Sequence, residues 1–407
     1  MGKIKLFTAA FLITCLVQSI CTSQIRFKDS LFNSVKITKD VKFGENKNYL
    51  GVTKSLLLDF YEPENDTLPE RPLMIWVHGG SFLLGSKEDT DVSKFCIDFA
   101  KKGYVTSSIN YRLGLLPFGT SEYYKAVIRA VQDLKAAIRF FRANKSQYKI
   151  DDNLIIVGGT SAGAFTALHA AYLNSNEIPS LVDTTQLGGL EGNSGNPGYS
   201  TKFNLVLNCW GAIGDTNWIQ PDDIPIMSEH GTDDSIVPCY EGNAMGTVHC
   251  FGSVPIHNTV ERLGIKNKLR LWEGLEHGLY DNDFNLSKAR YDTLVAGMSD
   301  FVYGTIFASP SDVHTDESIP EDFVLFQNYP NPFNAETIIS WQAPKSGSVT
   351  IKLYDILGNE ILNLFTGSGS TGINKLNFNA ANLASGIYYY KIQSDYFSQT
   401  KKLMILK

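Results

Sequence analysis

Between Ser55 and Phe307, short continuous apolar runs alternate with longer stretches of helical period. The runs fall at residues 55–61, 73–77, 104–109, 154–157, 203–207, 224–227 and 269–272. A run without polar alternation reads as a strand covered on both faces. Ala126, Ala130, Val131, Leu134, Ala137, Ile138 and Phe141 recur at three- and four-residue steps, the period of a helix face. Further helices are expected over 161–173 and, closing the domain, over 287–307. Strands separated by helices predict an α/β fold, a mostly parallel central sheet flanked by helices. Past residue 321 the period drops to two. Residues 337–341, 348–354, 374–378 and 387–392 alternate and are rich in β-branched and aromatic side chains, with turns at Gly358-Asn359 and Ser385-Gly386. That pattern predicts a small all-β sandwich.

The chain has 407 residues, which suggests two to three domains at ~100–200 residues each. The expected division is a signal peptide over 1–23, an α/β domain over 24–307, a polar linker over 308–321 and the sandwich over 322–407. Lys3 and Lys5 precede an apolar run over 6–17 that is short for a bilayer span, and Cys21-Thr22-Ser23 places small residues before a cleavage point at Gln24. The alternative is an uncleaved anchor. No later stretch approaches a membrane span, so an exported protein is expected. Residues 174–202 carry Gly188, Gly189, Gly192, Gly195 and Gly198 and few large apolar residues, and read as a loop excursion over the top of the sheet.

Thirty-six basic against 42 acidic residues, a net charge of −6, leave no basic excess for phosphates, which argues against nucleic-acid binding. Hydrophobic residues at 43% exclude disorder. Beyond the leader four cysteines remain, Cys96, Cys209, Cys239 and Cys250, with no C-x-x-C pair to suggest a zinc or redox centre. In an oxidising compartment Cys239 and Cys250, flanking a Gly-rich stretch, are the expected disulfide.

The strongest chemical signal is Gly159-Thr160-Ser161-Ala162-Gly163, between a buried strand and an Ala-rich helix. Such a strand–turn–helix elbow lifts a serine hydroxyl above the sheet edge, and the helix N-terminus beside it offers free N–H groups. His78-Gly79-Gly80-Ser81-Phe82 follows another strand. Its small residues let backbone N–H groups approach a substrate, so Gly80, Ser81 and Ala162 are the expected oxyanion donors. A serine needs a base, and the base needs a carboxylate. Asp234 and His277 each sit past a strand's C-terminal end, in the order Ser161, Asp234, His277. Asp233 is the rival acid. Asp234 is preferred because it lies nearer the apolar Ile236-Val237, while Thr232-Asp233 belongs to the turn. His78, His169, His230, His249, His257 and His314 read as structural or surface residues.

With these strings in view, residues 35–307 resemble the α/β-hydrolase fold, in its secreted carboxylesterase branch that includes feruloyl and acetylxylan esterases. The strings are His78-Gly79-Gly80, Asn110-Tyr111-Arg112-Leu113-Gly114, Gly159 through Gly163, the loop 230–238 and Glu276-His277-Gly278. The resemblance implies a Ser161–His277–Asp234 triad, no metal or organic cofactor, and a structural role for Arg112. Ser81 stands where the family carries a third glycine. The tail, with Asn328-Tyr329-Pro330-Asn331-Pro332-Phe333-Asn334, Tyr354-Asp355-Ile356-Leu357-Gly358-Asn359, Ser385 through Tyr390 and Lys401-Lys402-Leu403, resembles the C-terminal sorting domain of the type IX secretion system. A carbohydrate-binding sandwich is the alternative.

A secreted or cell-surface serine esterase is therefore expected, acting on small or polymeric esters and exported through the type IX machinery. Tyr111, Trp210 and Trp218 either wall an acyl pocket or belong to the core. The competing functions are a prolyl-oligopeptidase-type peptidase, which normally carries a propeller or a long N-terminal extension, and a non-catalytic binding protein on the same fold, which normally has lost a triad residue.

Overall fold

The seven apolar runs become strands of one eight-stranded sheet in the computed structural model, which describes residues 24–116, 119–180, 182, 187–279, 287–308, 323–328, 330–394 and 397–407. The expected leader over 1–23, nearly all of the linker over 308–321, and His314 lie outside the described residues. In chain order the elements are β1 (Val35–Lys47), β2 (Thr53–Pro63), β3 (Arg71–Val77), α1 (Thr90–Lys101), β4 (Val105–Ile109), α2 (Thr120–Ala143) and the single turn α3 (Lys145–Tyr148). Next come β5 (Ile150–Thr160), α4 (Ala162–Tyr172), β6 (Leu205–Cys209), β7 (Ile226–Gly231), the hairpin β8 (Glu241–Ala244) and β9 (Val248–Phe251), α5 (Ser253–Arg262), β10 (Asn267–Trp272) and α6 (Lys288–Ile306).

The sheet order is β1-β2-β4-β3-β5-β6-β7-β10. β1 and β2 are antiparallel, β2 meets β4 antiparallel, and every later pairing is parallel. This is an α/β-hydrolase sheet. β3 is buried along its whole length, as a strand covered by helices on both faces must be. α2 and α4 pack together on one face, and α1 meets α6 on the other. Because β3, β5, β7 and β10 run parallel, the loops that follow them share one edge of the sheet, the usual place for a site in such folds.

Arg112 and Asp133 form a buried ion pair at 2.9 Å, and Arg112 also donates to Gln132 Oε1 and to the carbonyls of Lys47 and Arg129. It ties the loop after β4 to α2 and β1.

Two expectations are corrected. The described part of 174–202 lies along α2, not over the top of the sheet. Gln132 donates to the carbonyls of Leu187 and Gly189, Arg139 to those of Glu191 and Gly195, and Arg142 to those of Ser200 and Lys202. Polar side chains on successive turns of α2 capture the excursion's backbone.

The Cys239–Cys250 bridge is absent, and both residues are buried free thiols, as are Cys96 and Cys209. In the β8–β9 hairpin Cys250 stands opposite Gly242, while the Cys239 carbonyl accepts from Val254 N–H. The two cysteines are therefore offset by about three positions, roughly 10 Å at ~3.3 Å per residue, beyond the ~7 Å that a disulfide tolerates. The Cys239 thiol faces the Thr232 carbonyl instead. Burial pushes the Cys239 thiol up to about 12 and the Cys250 thiol up to about 11.

The chain divides into two compact units, Met1–Ile306 and Phe307–Lys407. The second contains β11 (Val324–Leu325), β12 (Glu336–Ala343), β13 (Gly347–Tyr354), β14 (Glu360–Gly369), β15 (Gly372–Asn379), β16 (Gly386–Ser394) and β17 (Ser398–Ile405). They form antiparallel sheets ordered β11-β12-β15 and β14-β13-β16-β17. The inward positions predicted by period two, among them Ile339, Trp341, Ile351, Leu353, Tyr390 and Ile392, form its core. Phe333, at the end of the Asn-Pro string, is buried, and its backbone bonds Met404 and Leu406 at the end of the chain.

Candidate active site

The elbow is built by close approach. Ser161 sits between β5 and α4 at φ 51°, ψ −118°, an unusual conformation for a residue with a side chain. A Cβ on Gly159 would lie 2.3 Å from Gly163, and one on Gly163 would lie 2.0 Å from the Val77 carbonyl oxygen. Nothing larger than glycine fits at either position, which is the physical content of the G-x-S-x-G spacing. Ser161 N–H donates to the Cys209 carbonyl at 3.0 Å, fixing the turn to the neighbouring β6. Ala162 opens α4, so its N–H precedes the first intrahelical acceptor.

The structure brings Ser161, His277 and Asp234 into one hydrogen-bonded row. His277 Nε2 lies 2.9 Å from Ser161 Oγ, and His277 Nδ1 lies 2.7 Å from Asp234 Oδ2. With Nδ1–H donating to the carboxylate, Nε2 is left as an acceptor for the serine proton. Asp234 Oδ1 accepts from the N–H groups of Ile236 and Val237 at 3.0 and 2.8 Å. Burial pushes this carboxyl up, but hydrogen bonds from His230 and His277 outweigh burial and hold it well below the usual carboxylate range. Asp233 is exposed and accepts from the Thr232 hydroxyl at its Oδ1, while His277 bonds Asp234. Glu276 Oε2 accepts from both the hydroxyl and the N–H of Ser235, pinning the loop that carries His277 to the loop that carries Asp234.

The Gly80 carbonyl accepts from Leu83 and Leu84 N–H, and the N–H groups of Gly80 and Ser81 take no part in that turn's bonds. Phe82 anchors the turn, fully buried edge-on to Tyr111 and Tyr123. His78 is buried, donates from Nδ1 to the Gly79 carbonyl at 2.8 Å and stacks on Tyr111 at 4.4 Å between centroids. Burial lowers its pKa, so it serves the loop as a neutral anchor.

The three aromatics are 4%, 3% and 6% exposed for Tyr111, Trp210 and Trp218. The Tyr111 hydroxyl donates to the carbonyls of His78 and Gly79, Trp210 adjoins Cys209 beside the elbow, and Trp218 packs edge-on to His169. His169 is buried within α4, and burial lowers its pKa to about 4. His249 is at the surface beside Glu241. His230, by contrast, touches Asp234, with Nε2 3.2 Å from its Oδ2. That contact was not foreseen, because the strand was expected to end at Met227, whereas β7 continues through His230 to Gly231.

Comparison with known proteins agrees with the two units. Residues 58–214 match the BD-FAE family, and residues 327–406 match the family described as Secretion system C-terminal sorting domain. Carboxylesterase 3B of Mus musculus is 34% identical over 110 residues, 26% of this chain and 19% of the relative. Gut esterase 1 of Caenorhabditis elegans is 32% identical over 96 residues, 23% and 17% of the respective chains. The chain thus spans about a fifth of the length of these curated relatives. Among solved structures, esterase Est2 of Thermogutta terrifontis aligns at a TM-score of 0.49 with 18% identity, covering 70% of this chain and 98% of that one. A truncated carbohydrate esterase from gut microbiota aligns at 0.48 with 19% identity, covering 68% and 98%. From the strand order and the two family matches together, the chain joins an α/β-hydrolase sheet, similar over residues 58–214 to the BD-FAE family, to a C-terminal unit similar over residues 327–406 to the secretion system C-terminal sorting domain.

Proposed function

We propose that this is an exported serine esterase that cleaves carboxylic esters through an acyl-enzyme. Ser161 Oγ attacks the ester carbonyl while His277 Nε2 takes its proton. The imidazolium then gives that proton to the departing alcohol, and water repeats the cycle to release the acid. Asp234 holds the imidazole in the Nδ1–H tautomer and balances the charge that forms on it. The N–H groups of Gly80, Ser81 and Ala162 receive the developing oxyanion. The observation that carries this reading is the row Ser161 Oγ–His277 Nε2 at 2.9 Å and His277 Nδ1–Asp234 Oδ2 at 2.7 Å.

The carboxylesterase relatives and the sorting tail support an extracellular ester as substrate and passage through the type IX machinery, to the cell surface or beyond. Tyr111, Trp210 and Trp218 are too deeply covered to wall an acyl group directly, and we assign them to holding the loops around it. Feruloyl or acetyl esters of plant walls and polyester chains are the candidate substrates.

The test is a panel of p-nitrophenyl esters of rising chain length beside methyl ferulate and a polyester film, run with the parent and Ser161→Ala. The parent should turn over at least the short esters. The variant should lose about 10⁶ in kcat, the loss seen when a catalytic serine is removed from a comparable triad. A loss below tenfold in a folded variant would overturn the assignment.

A further inference from the structure

Asp234 carries two histidines. One is His277. The other is His230, fully buried at the end of β7, whose Nε2 lies 2.9 Å from the Val237 carbonyl oxygen and 3.2 Å from Asp234 Oδ2. Both neighbours of Nε2 are acceptors, so Nε2 must carry a proton. We propose that His230 is a positioning residue for the catalytic acid, its Nε2–H shared between Asp234 and Val237 and its tautomer fixed by a buried hydrogen-bond chain running from β6 through α5 to β10. This rests on the esterase reading above.

The direction of every bond in the chain follows from its two ends. At one end Asn208 Oδ1 accepts from Gly211 N–H at 3.0 Å, which leaves Nδ2 as the donor, to Ser253 Oγ at 3.0 Å and Ser228 Oγ at 2.9 Å. Ser253 then donates to His230 Nδ1 at 2.7 Å, and neutral His230 keeps its proton on Nε2. At the other end Asn267 Nδ2 donates to the Ile265 carbonyl, so its Oδ1 accepts from His257 Nδ1 at 2.9 Å. His257 Nε2 is therefore the acceptor for Ser228, at 2.8 Å. Asn208, Ser228, His230 and Ser253 are all fully buried. A polar network of this kind is tolerated in a core only when its members are satisfied, and once satisfied it holds one arrangement.

The effect on chemistry has a definite sign. A second donor on Asp234 Oδ2 spreads the carboxylate charge and reduces its pull on a protonated His277. Without that donor His277 is the one side chain left on Oδ2, the imidazolium is favoured, and the base is neutral only at higher pH. The other ionisable groups around Asp234 and His230 are the Cys239 and Cys250 thiols, which burial keeps neutral, and His257 on α5. Asp233, Glu273 and Glu276 lie exposed on the neighbouring loops. Glu229 precedes His230 on the strand, faces the other side of the sheet and bonds Trp272 Nε1.

The experiment measures kcat and KM for p-nitrophenyl acetate against pH in His230→Leu, His230→Gln and Ser253→Ala. Gln places an amide N–H near the Nε2 position and should retain kcat within a few-fold. Leu should lower kcat about 10- to 100-fold at neutral pH with KM little changed, the scale expected for a lost hydrogen bond to a charged group, and should move the acidic limb of kcat/KM to higher pH. Ser253→Ala leaves His230 in place but frees its tautomer, and should move the limb in the same direction by less. An unmoved limb and parental kcat in folded Ser253→Ala overturns the proposal even if His230→Leu does not fold, and so does a Gln variant as impaired as Leu. An active Ser161→Ala would instead sink the underlying esterase reading.

Discussion

At the scale of single residues, the proposed site depends on which of two adjacent carboxylates meets His277. Asp234 is buried, accepts from two backbone N–H groups and bonds His277, whereas Asp233 is exposed in the turn. Asp234→Asn should therefore cost about 10⁴ in kcat, since an amide in that place favours the wrong imidazole tautomer, while Asp233→Asn should stay within a few-fold. Equal losses in steady-state kinetics would refute this choice of acid. That Ser161, His277 and Asp234 would be candidates was legible in the sequence, because each stands in a short polar string directly after an apolar strand, and the structure brings the three together in one hydrogen-bonded row. His230 and the Ser235–Glu276 clasp were not. Their roles come from pairings between loops far apart in the chain, and no local period reports those.

At the scale of elements, β7 shows both what patterning reveals and what it hides. Its apolar start marked a buried strand, but its end, Ser228-Glu229-His230-Gly231, is polar and equally buried. Tertiary hydrogen bonds satisfy these side chains, so the strand outruns its hydrophobic signature. β1, with one face exposed, and the short β8–β9 hairpin escaped notice for the related reason that neither has a continuous apolar run. Glu229 turns this burial into a measurable quantity. Burial raises its carboxyl pKa from 4.5 to about 7, against the opposing charge of Arg270. The folded state thus binds the proton more tightly than the unfolded chain, so the contribution to stability is full below about pH 4.5 and is lost as pH rises through about 7, by roughly 3 kcal/mol. Glu229→Gln retains an acceptor for Trp272 Nε1. By calorimetry it should melt a few degrees above the parent at pH 8 and close to it at pH 4.5. A gap equal at both pH values would show that Glu229 is charged in the fold.

At the scale of the whole molecule, the change from apolar runs with helices to period-two strands announced two units, and the contacts divide at Ile306 and Phe307. Ser161, the 78–82 loop, Asp234 and His277 all belong to the first unit. A chain comprising residues 24–307 should therefore fold and hydrolyse p-nitrophenyl acetate with undiminished kcat/KM, while a host with a type IX system should fail to export a chain lacking 322–407. A folded truncation that loses most of its kcat/KM would place the sandwich in the site. Within the first unit, β10 is the last strand of the sheet and lies at its edge, half-buried along its length where β3 is fully covered. His277 hangs from the end of that strand. Edge segments open at lower free energy than a sheet's centre, well before the chain as a whole unfolds. Opening of β10 would carry His277 away from Ser161, which the turn between the central β5 and α4 holds in place. On the esterase reading proposed above, turnover should then be lost on heating before tertiary structure, and an esterase assay beside near-UV circular dichroism along one temperature ramp checks this, with coincident losses counting against it.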